Sequence, residues 1–522
     1  MSGEGEGRAP VVITRPNSKV TSGEAVTQKL VGAANAFGNI LRGTYGPNGL
    51  DKMMYKSNGE TAVTNDGARI VADLLVKHPA AKAFVSLAQS QEEACGDGVT
   101  GCILFASELM NESGRLLERR IHSLQIVEGL QKATKIALET LNEISITASD
   151  SDLTAVAKTS LTGKSSEGAS NHLADLITQA VAIISVNSLA DSTKVRMAKS
   201  PGGDVASSHL VNGIVFDGRS QLDRMIKSIS NGKLLALSCP LEIENPQRDM
   251  EIEISDAESY QGFIDAEEEI LNSHAQSVIN SGANAVFCAE GIDQRVLHQL
   301  VDANIFVISG IEKSIAEDVA LTTGARLTDH LDGLSEEDLG TFTKVELIDI
   351  EGKEGPFERI IIESENPGLV TICVGGGDGT TSEEIIRALH DSLRSICTTI
   401  EDRRVVVGGG GFYVQAALNV KLEAEKQSGK ERIAMEAFAR ALEALPRSLA
   451  SNAGSDPLDI ILELRTLHIQ GKSTAGVGID GRCTEAIDAL VPSSTIAHAI
   501  EAAVETACGL LRIDQVISAR GD

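Results

Sequence analysis

Apolar residues recur at helical spacing over most of the first quarter of the chain, from about residue 21 to about residue 146. Val127, Leu130, Ala137, Leu141 and Ile144 give one of the better 3.6-residue stripes. The helical pattern returns over residues 382–398 and 416–464. There Met435, Phe438, Leu442 and Leu445 share a face, and Pro446 predicts a boundary or kink. The middle of the chain reads differently. Short β-rich runs at 213–216, 234–237, 285–288, 305–308 and 370–374 alternate with helical stretches, which predicts an α/β layer domain over about 215–365. With helical chain on both sides, the economical topology is nested: an outer helical domain from both ends, with the α/β domain inserted between them. No internal repeat at solenoid periods is present.

One segment has no obvious place in a compact layer. Met250, Ile252 and Ile254 alternate with Glu251 and Glu253, as in a half-exposed strand. Tyr260, Phe263, Ile264, Ile270 and Leu271 then predict the apolar stripe of a helix whose other face carries Glu267, Glu268 and Glu269. Such a stripe either packs on its own domain or belongs to a protruding helix that seeks a partner. The first residues, up to about residue 17, are rich in Gly, Glu and Pro and predict a loose arm.

Composition narrows the functional classes. The 522 residues carry 46 Lys and Arg against 74 Asp and Glu, a net charge of −28. The basic residues are too few and too scattered for a nucleic-acid footprint. With 11 Phe, 4 Tyr and no Trp, base-stacking platforms and aromatic cages are disfavoured. An apolar fraction of 42% belongs to a globular chain. No apolar run reaches the ~18 residues of a membrane span. The start has no apolar core of a signal peptide. The eight Cys form no C-x-x-C pair, so reduced thiols in a cytoplasmic protein are expected, without zinc. Either a high-salt cytoplasm or an ordinary solvated surface accounts for the acidity, and the ordinary surface is preferred.

The strongest local signal is Cys95-Gly96-Asp97-Gly98-Val99-Thr100-Gly101 before an apolar run. Glycines admit a phosphate close to backbone N–H groups, and a helix starting near Thr100 would turn its positive end toward it. Asp97 suits Mg²⁺ and Thr100 offers a hydroxyl. The competing reading is a plain Asp-Gly turn with a cap. The Walker spacing is absent. Arg42-Gly43-Thr44-Tyr45-Gly46-Pro47-Asn48-Gly49 reads equally as a turn between helix and strand. Thr64-Asn65-Asp66-Gly67 reads as a carboxylate on a tight turn or as a hairpin turn plus cap. Four glycines at 408–411 after an apolar strand require the close approach of a ligand or of another backbone. The glycine run at 375–381 offers the geometry of a phosphate loop too. His78, His122, His390 and His498 lack partners at metal-ligand spacing and read as structural.

Taken in order, these pieces resemble group II chaperonins, the archaeal thermosome and eukaryotic cytosolic chaperonin family. The resemblance rests on Gly46-Pro47-Asn48-Gly49-Leu50-Asp51-Lys52-Met53, Thr64-Asn65-Asp66-Gly67, His78-Pro79-Ala80-Ala81-Lys82 and Gln91-Glu92-Glu93 before Gly96-Asp97-Gly98. Asp391-Ser392-Leu393, Gly408-Gly409-Gly410, Ala437-Phe438-Ala439-Arg440-Ala441-Leu442-Glu443, Pro446-Arg447, Asn452-Ala453-Gly454 and Leu511-Arg512-Ile513-Asp514 extend it over about residues 20–518.

The resemblance implies a multidomain fold. A mainly α-helical equatorial ATPase domain would take residues 1–145 and 403–522, and a small α/β intermediate hinge domain 146–214 and 366–402. An inserted α/β apical domain, 215–365, would carry a helical lid protrusion at about 243–275. It also implies ATP/ADP and Mg²⁺ as ligands. Gly46 and Pro47 would lie near the phosphates, Asp97 would bind Mg²⁺, and Gly98, Val99 and Thr100 would form the phosphate loop. Asp66 and Asp391 would position or activate water, Lys164 would sense the terminal phosphate, and Gly409 and Gly410 would line the pocket. The run at 375–381 would mark the return from the apical domain, away from nucleotide. The implied partners are unfolded proteins and identical or paralogous subunits in two stacked rings, with neither nucleic acid nor membrane.

The chain departs from the family pattern. Val99 stands where a Thr is usual, Val407 replaces a Pro, and Phe412-Tyr413 stand where a Glu follows the glycine run. Val491 and Ile496 replace the Glu and Lys that approach the nucleoside. The expectation is therefore a divergent chaperone subunit driven by ATP hydrolysis, with turnover that is weakened. The alternative is a structural or regulatory ring subunit that binds nucleotide poorly.

Overall fold

The computed structural model describes residues 19–55, 61–74, 76, 78–164, 167–185, 189–243, 257–352, 355–376 and 379–518. The chain forms two compact units, one from Met1–Thr159 with Asp402–Asp522 and one from Ser160–Glu401. The first is thus drawn from both ends of the chain, and the second is wider than the α/β stretch of about 215–365 read from the sequence.

Five helices open the first unit: α1 (Glu24–Arg42), α2 (Gly67–Asp73), α3 (Pro79–Cys95), α4 (Val99–Glu118) and α5 (Ser123–Ile144). The chain passes through α6 (Asp152–Leu161) into the second unit, which holds α7 (Ser170–Ile184), α8 (Ala257–Ser281), α9 (Gln294–Asp302) and α10 (Lys313–Thr323). It returns along α11 (Gly379–Asp402) to α12 (Gly411–Glu425), α13 (Lys430–Leu442), α14 (Ala444–Asn452), α15 (Pro457–Ile469) and α16 (Ser493–Leu511).

Helix α4 is buried nearly all round, from Val99 to Leu116, which is why its sequence lacks a clean polar face. It packs against α1, α3, α13, α14 and α16. Phe105 on α4 meets Phe438 on α13 edge to face at 5.4 Å between ring centres. Met435, Phe438, Leu442 and Leu445 are all buried, as their spacing predicts. The helix breaks at Glu443, and Pro446 falls in the first turn of α14, where a missing N–H costs little. The strands Lys19–Ser22 and Gln515–Ser518 pair antiparallel and join the two ends of the chain. A short sheet of Leu490–Pro492, Arg404–Val407 and Ile146–Thr147 leads into the glycine run at 408–411.

The second unit contains a mixed sheet in the order Phe306–Ile308, Ala285–Cys288, Ser228–Leu237, Gly340–Gly352, Gly355–Glu363, Gly213–Gly218. Its first three strands run parallel and the rest pair antiparallel. Ala285–Cys288 is buried at every position, as befits a strand covered on both faces. A second sheet pairs Val370–Gly376 with Val195–Pro201 and His209–Val211. The β-rich runs read from the sequence fall on observed strands, save Ile305, which lies one residue before Phe306–Ile308.

The segment over 250–271 departs from a single stripe. Residues 244–256 and the side chain of Tyr260 lie outside the described residues. Within α8, Phe263 is 49% and Ile270 46% exposed, while Leu271 is 1% exposed. Ile270 and Leu271 are neighbours in sequence, about 100° apart on a helix, so they cannot share a narrow face. The buried face is Leu271, Ala275 and Val278, which joins the apolar core of the sheet. From Leu271 onward α8 lays one face on the core, and its residues 261–270 are solvated.

Candidate nucleotide site

The Asp66-Gly67 turn, Tyr45 of the loop after α1 and Thr495 in the first turn of α16 meet near the start of α4. The loop after α1 runs from helix to strand, through Gly46 to Lys52–Tyr55. Gly46 has φ +87°, and a β-carbon there would lie 2.2 Å from Leu449 Cδ2. Gly49 donates its N–H to Gly46 O at 3.0 Å. Asn452 donates to Arg42 O at 2.9 Å and Tyr45 O at 2.8 Å, and Asn48 donates to Ile479 O at 2.8 Å. The half-exposed Pro47 is carried on this pinned turn.

Asp66 caps α2, its Oδ1 accepting the Ala68 N–H at 2.9 Å. A β-carbon on Gly67 would meet Thr100 Oγ1 at 2.3 Å, so this turn lies against the first turn of α4. The hairpin-plus-cap reading is half realised: the cap is present, while the antiparallel pair Lys52–Tyr55 and Thr61–Thr64 lies wholly before Asn65-Asp66.

Asp97 Oδ1 accepts the Gly98 N–H at 2.7 Å. Gly98, at φ +84°, is the N-cap of α4 and supplies no side-chain cap. Val99 is 4% exposed and belongs to the apolar core, so this position offers the loop its backbone and not its side chain. Thr100 is half-buried beside Gly67. A β-carbon on Gly101 would lie 3.3 Å from the Tyr45 ring. Burial, with Asp97 adding to it, pushes the Tyr45 phenol well above its ordinary pKa, so it stays neutral.

The glycines at 408–411 answer largely to a second backbone. Val477 N–H bonds to Gly409 O at 2.8 Å, and a β-carbon at Gly411 would lie 2.3 Å from Ala475 O. Gly409 (φ +71°) and Gly410 (φ +79°) lead into α12. Gly410 lies 3.5 Å, by its notional β-carbon, from Leu449 Cδ1, so it shares that side chain with Gly46. The structure thus gathers Gly46, Pro47, Asp66, Asp97, Gly98, Val99, Thr100, Gly409 and Gly410 in one region of the first unit.

Lys164 and Asp391 lie in the second unit, paired at 2.5 Å between Nζ and Oδ2. In the same unit, Gly375 donates its N–H to Ser208 Oγ at 3.0 Å, and a β-carbon there would lie 2.3 Å from Asp204 O. Its glycine is required by that backbone, and residues 377–378 lie outside the described residues.

The arrangement suits a polyanion with a hard divalent cation. Helices α4, α12 and α16 begin at Gly98, Gly410 and Pro492 without side-chain caps and with no acidic residue in the first turn. Their uncapped N–H groups and positive ends favour phosphate. Thr495 Oγ1, on a residue 4% exposed, has no hydrogen-bond partner among the described residues, and its side chain is the nearest to a notional β-carbon on Gly98. Asp97 supplies a carboxylate, the donor Mg²⁺ takes alongside phosphates and water. Among the described residues no group of three or more His, Cys, Asp or Glu could hold a metal alone.

Two side chains here had no part in the site expected from the sequence, Gln91 with no role of its own and His498 read as structural. Gln91, fully buried, and His498 meet across 407 positions of chain, a pairing no local spacing reveals. His78 and His122 cap α3 and α5 through Nδ1, the structural use expected of them.

These loops lie on a mostly helical unit drawn from both ends of the chain, and the other unit carries the two larger sheets. The TCP-1/cpn60 chaperonin family matches residues 37–521, and the chain belongs to that family. It is 37% identical to thermosome subunit beta of Archaeoglobus fulgidus, covering 98% of this chain and 95% of that one. It is 36% identical to a thermosome subunit of Methanopyrus kandleri, over 99% and 96% of the two chains. With thermosome subunit 1 of Haloferax volcanii the identity is 34%, over 98% and 92%. The motif-based resemblance to group II chaperonins therefore holds. No helix among the described residues is long and apolar enough to cross a membrane.

Proposed function

We propose that the chain is a subunit of an ATP-dependent, double-ring group II chaperonin that encloses and folds other proteins. Residues 1–145 and 403–522 act as the equatorial ATPase domain, 146–214 and 366–402 as the hinge, and 215–365 as the apical domain. The observation that carries this is the meeting of Tyr45, next to Gly46, the Asp66-Gly67 turn and the Asp97–Gly98 loop at the uncapped start of α4. In this reading Mg²⁺, held by Asp97 and the phosphates, offsets the charge of the triphosphate. The backbone of Gly46, Pro47, Gly98, Val99, Gly409 and Gly410 and the Thr100 hydroxyl hold the nucleotide. Asp66 and Asp391 orient the attacking water, and Lys164 contacts the terminal phosphate. Cytoplasmic location, unfolded clients and identical or paralogous partner subunits follow from the same reading.

A second reading has an observation in its favour. Val99 and Ile496, at 4% and 7% exposure, give core packing at two positions where the family pattern leads one to expect Thr and Lys. A subunit that binds nucleotide weakly and supports active neighbours fits those substitutions. Electron microscopy and an ATPase assay on one purified sample separate the two. Rings with Mg²⁺-dependent turnover support the first reading, rings without turnover support the second, and a monomer without turnover overturns both.

A further inference from the structure

Gln91 is fully buried, which is costly for an amide unless its hydrogen bonds are made. They are made across three separate elements. Nε2 lies 2.9 Å from Asp97 O and 3.3 Å from Thr495 O. Both neighbours are backbone carbonyls, which only accept. The nitrogen must therefore face them and give one hydrogen to each, which fixes the amide orientation. Oε1 then points to His498 Nδ1 at 2.7 Å. Because Oε1 only accepts, Nδ1 must carry the proton.

The consequence falls on the Asp97–Gly98 turn. The carbonyl of Asp97 is tied to α3 through Gln91, while its carboxylate accepts from Gly98 N. A β-carbon on Gly98 would lie 3.2 Å from Gln91 Nε2 and 2.9 Å from Thr495 Cγ2. The turn is therefore closed on one side by Gln91 and by the first turn of α16. We infer that Gln91, oriented by the Nδ1–H of His498, is a positioning residue that holds the Asp97 carboxylate in place for a divalent cation. This rests on the reading of the Asp97 loop as a metal–nucleotide site. Groups that orient a metal ligand from behind change metal affinity without touching the metal. A plain packing role would change only the stability of the fold.

The test is a Mg²⁺ titration of ADP binding to the assembled protein, read by a fluorescent ADP analogue, with ADP affinity in EDTA measured beside it. Gln91→Met keeps the volume and removes both donors and the acceptor. The expected result is a Mg²⁺ midpoint raised roughly 10- to 100-fold with ADP affinity in EDTA nearly unchanged. His498→Leu should move the midpoint the same way by less, and His498→Gln, which can still donate, should restore it. A Gln91→Met midpoint within about twofold of the parent, or equal losses with and without metal, overturns the inference. If Gln91→Met fails to assemble, the two His498 variants decide: equal midpoints in His498→Leu and the parent overturn it. Failure of the parent protein itself to bind ADP in a Mg²⁺-dependent way refutes the site and is a different outcome.

Discussion

Lys164 Nζ lies 2.5 Å from Asp391 Oδ2, with the lysine side chain 20% exposed and the aspartate 9%. The carboxylate assigned to water and the cation assigned to the terminal phosphate are thus each other's partners here. The pair neutralises two charges that would be costly to bury apart. Removing either partner deletes this charged hydrogen bond, so each single substitution should cost about 1.5–3 kcal/mol of stability.

Asp391→Asn should keep nucleotide binding and lower turnover by about 100-fold or more, the range of a lost positioned base. Lys164→Met should weaken binding of ATP more than of ADP, because only ATP carries the terminal phosphate. Combining the two deletes the same contact only once, so the double variant should lose less stability than the sum of the two single losses. Near-normal turnover in Asp391→Asn refutes its role with water. A double variant that melts at the sum of the single losses refutes the coupling.

Asp97→Ala should raise the Mg²⁺ concentration needed for ADP binding, since it removes an oxygen ligand. It also removes the acceptor of the Gly98 N–H. ADP binding that responds to Mg²⁺ as in the parent would exclude Asp97 as a ligand.

Position 99 sets two effects against each other. Val99→Thr adds a hydroxyl that could give a charged hydrogen bond, worth ~1.5–3 kcal/mol at best. Yet Val99 is 4% exposed within the core of α4 and its neighbours. An unpaired buried hydroxyl costs about 1–3 kcal/mol in protein series. The burial favours the second effect: a lower melting temperature and no gain in ADP affinity. Tighter binding without loss of stability would show that the hydroxyl finds the phosphates.

Glu443 gives a pH dependence whose sign can be worked out. It is 2% exposed at the break between α13 and α14, and bonds Arg465 Nε at 2.8 Å and Lys421 Nζ at 2.7 Å. Burial alone would raise its carboxyl, but the hydrogen bonds from Arg465 and Lys421 outweigh burial and hold it below the usual range. A lowered folded pKa means stability that is fully present above the ordinary glutamate value of about 4.3 and lost as pH falls through the folded value. Glu443→Gln should remove that slope and lower the melting temperature at pH 7. An unchanged slope between about pH 5 and 3 would assign the acid sensitivity elsewhere.

The parts of the molecule legible in the sequence are those whose cause is local. Ala285–Cys288 is a continuous apolar run because both faces of that strand are covered. Asp66 and the glycines at 96 and 98 announce their turns through cap and positive-φ chemistry. What was not legible depends on distant partners. The strand Lys52–Tyr55 is short, and its Met53 and Tyr55 are 75% and 80% exposed, so no buried face marks it within a helical stretch. The glycine run at 408–411 left ligand and backbone as equal explanations until Ala475 and Val477 were seen against it. The hydroxyl expected to be missing at Val99 could not be weighed without knowing that the position is core.

Helix α8 carries the last prediction. Leu271, Ala275 and Val278 bury one face in the sheet core, whereas Phe263 and Ile270 remain 49% and 46% exposed. Leu271→Ala should therefore cost about 2–5 kcal/mol, and Phe263→Ser with Ile270→Ser should shift stability by only about 0.5 kcal/mol per site. If the solvated half of the helix belongs to a lid, those two side chains serve a surface that forms only when the ring closes. Burying even a few hundred Å² per subunit at ~25 cal/mol per Å² would contribute several kcal/mol before ordering costs. The double serine variant should then be as stable as the parent yet close poorly. Limited proteolysis reads closure directly: the parent should be cut quickly before Leu271 without nucleotide and protected under hydrolysing ATP, while the variant should be cut equally in both. Equal cutting of the parent in both states would return Phe263 and Ile270 to an ordinary solvated surface.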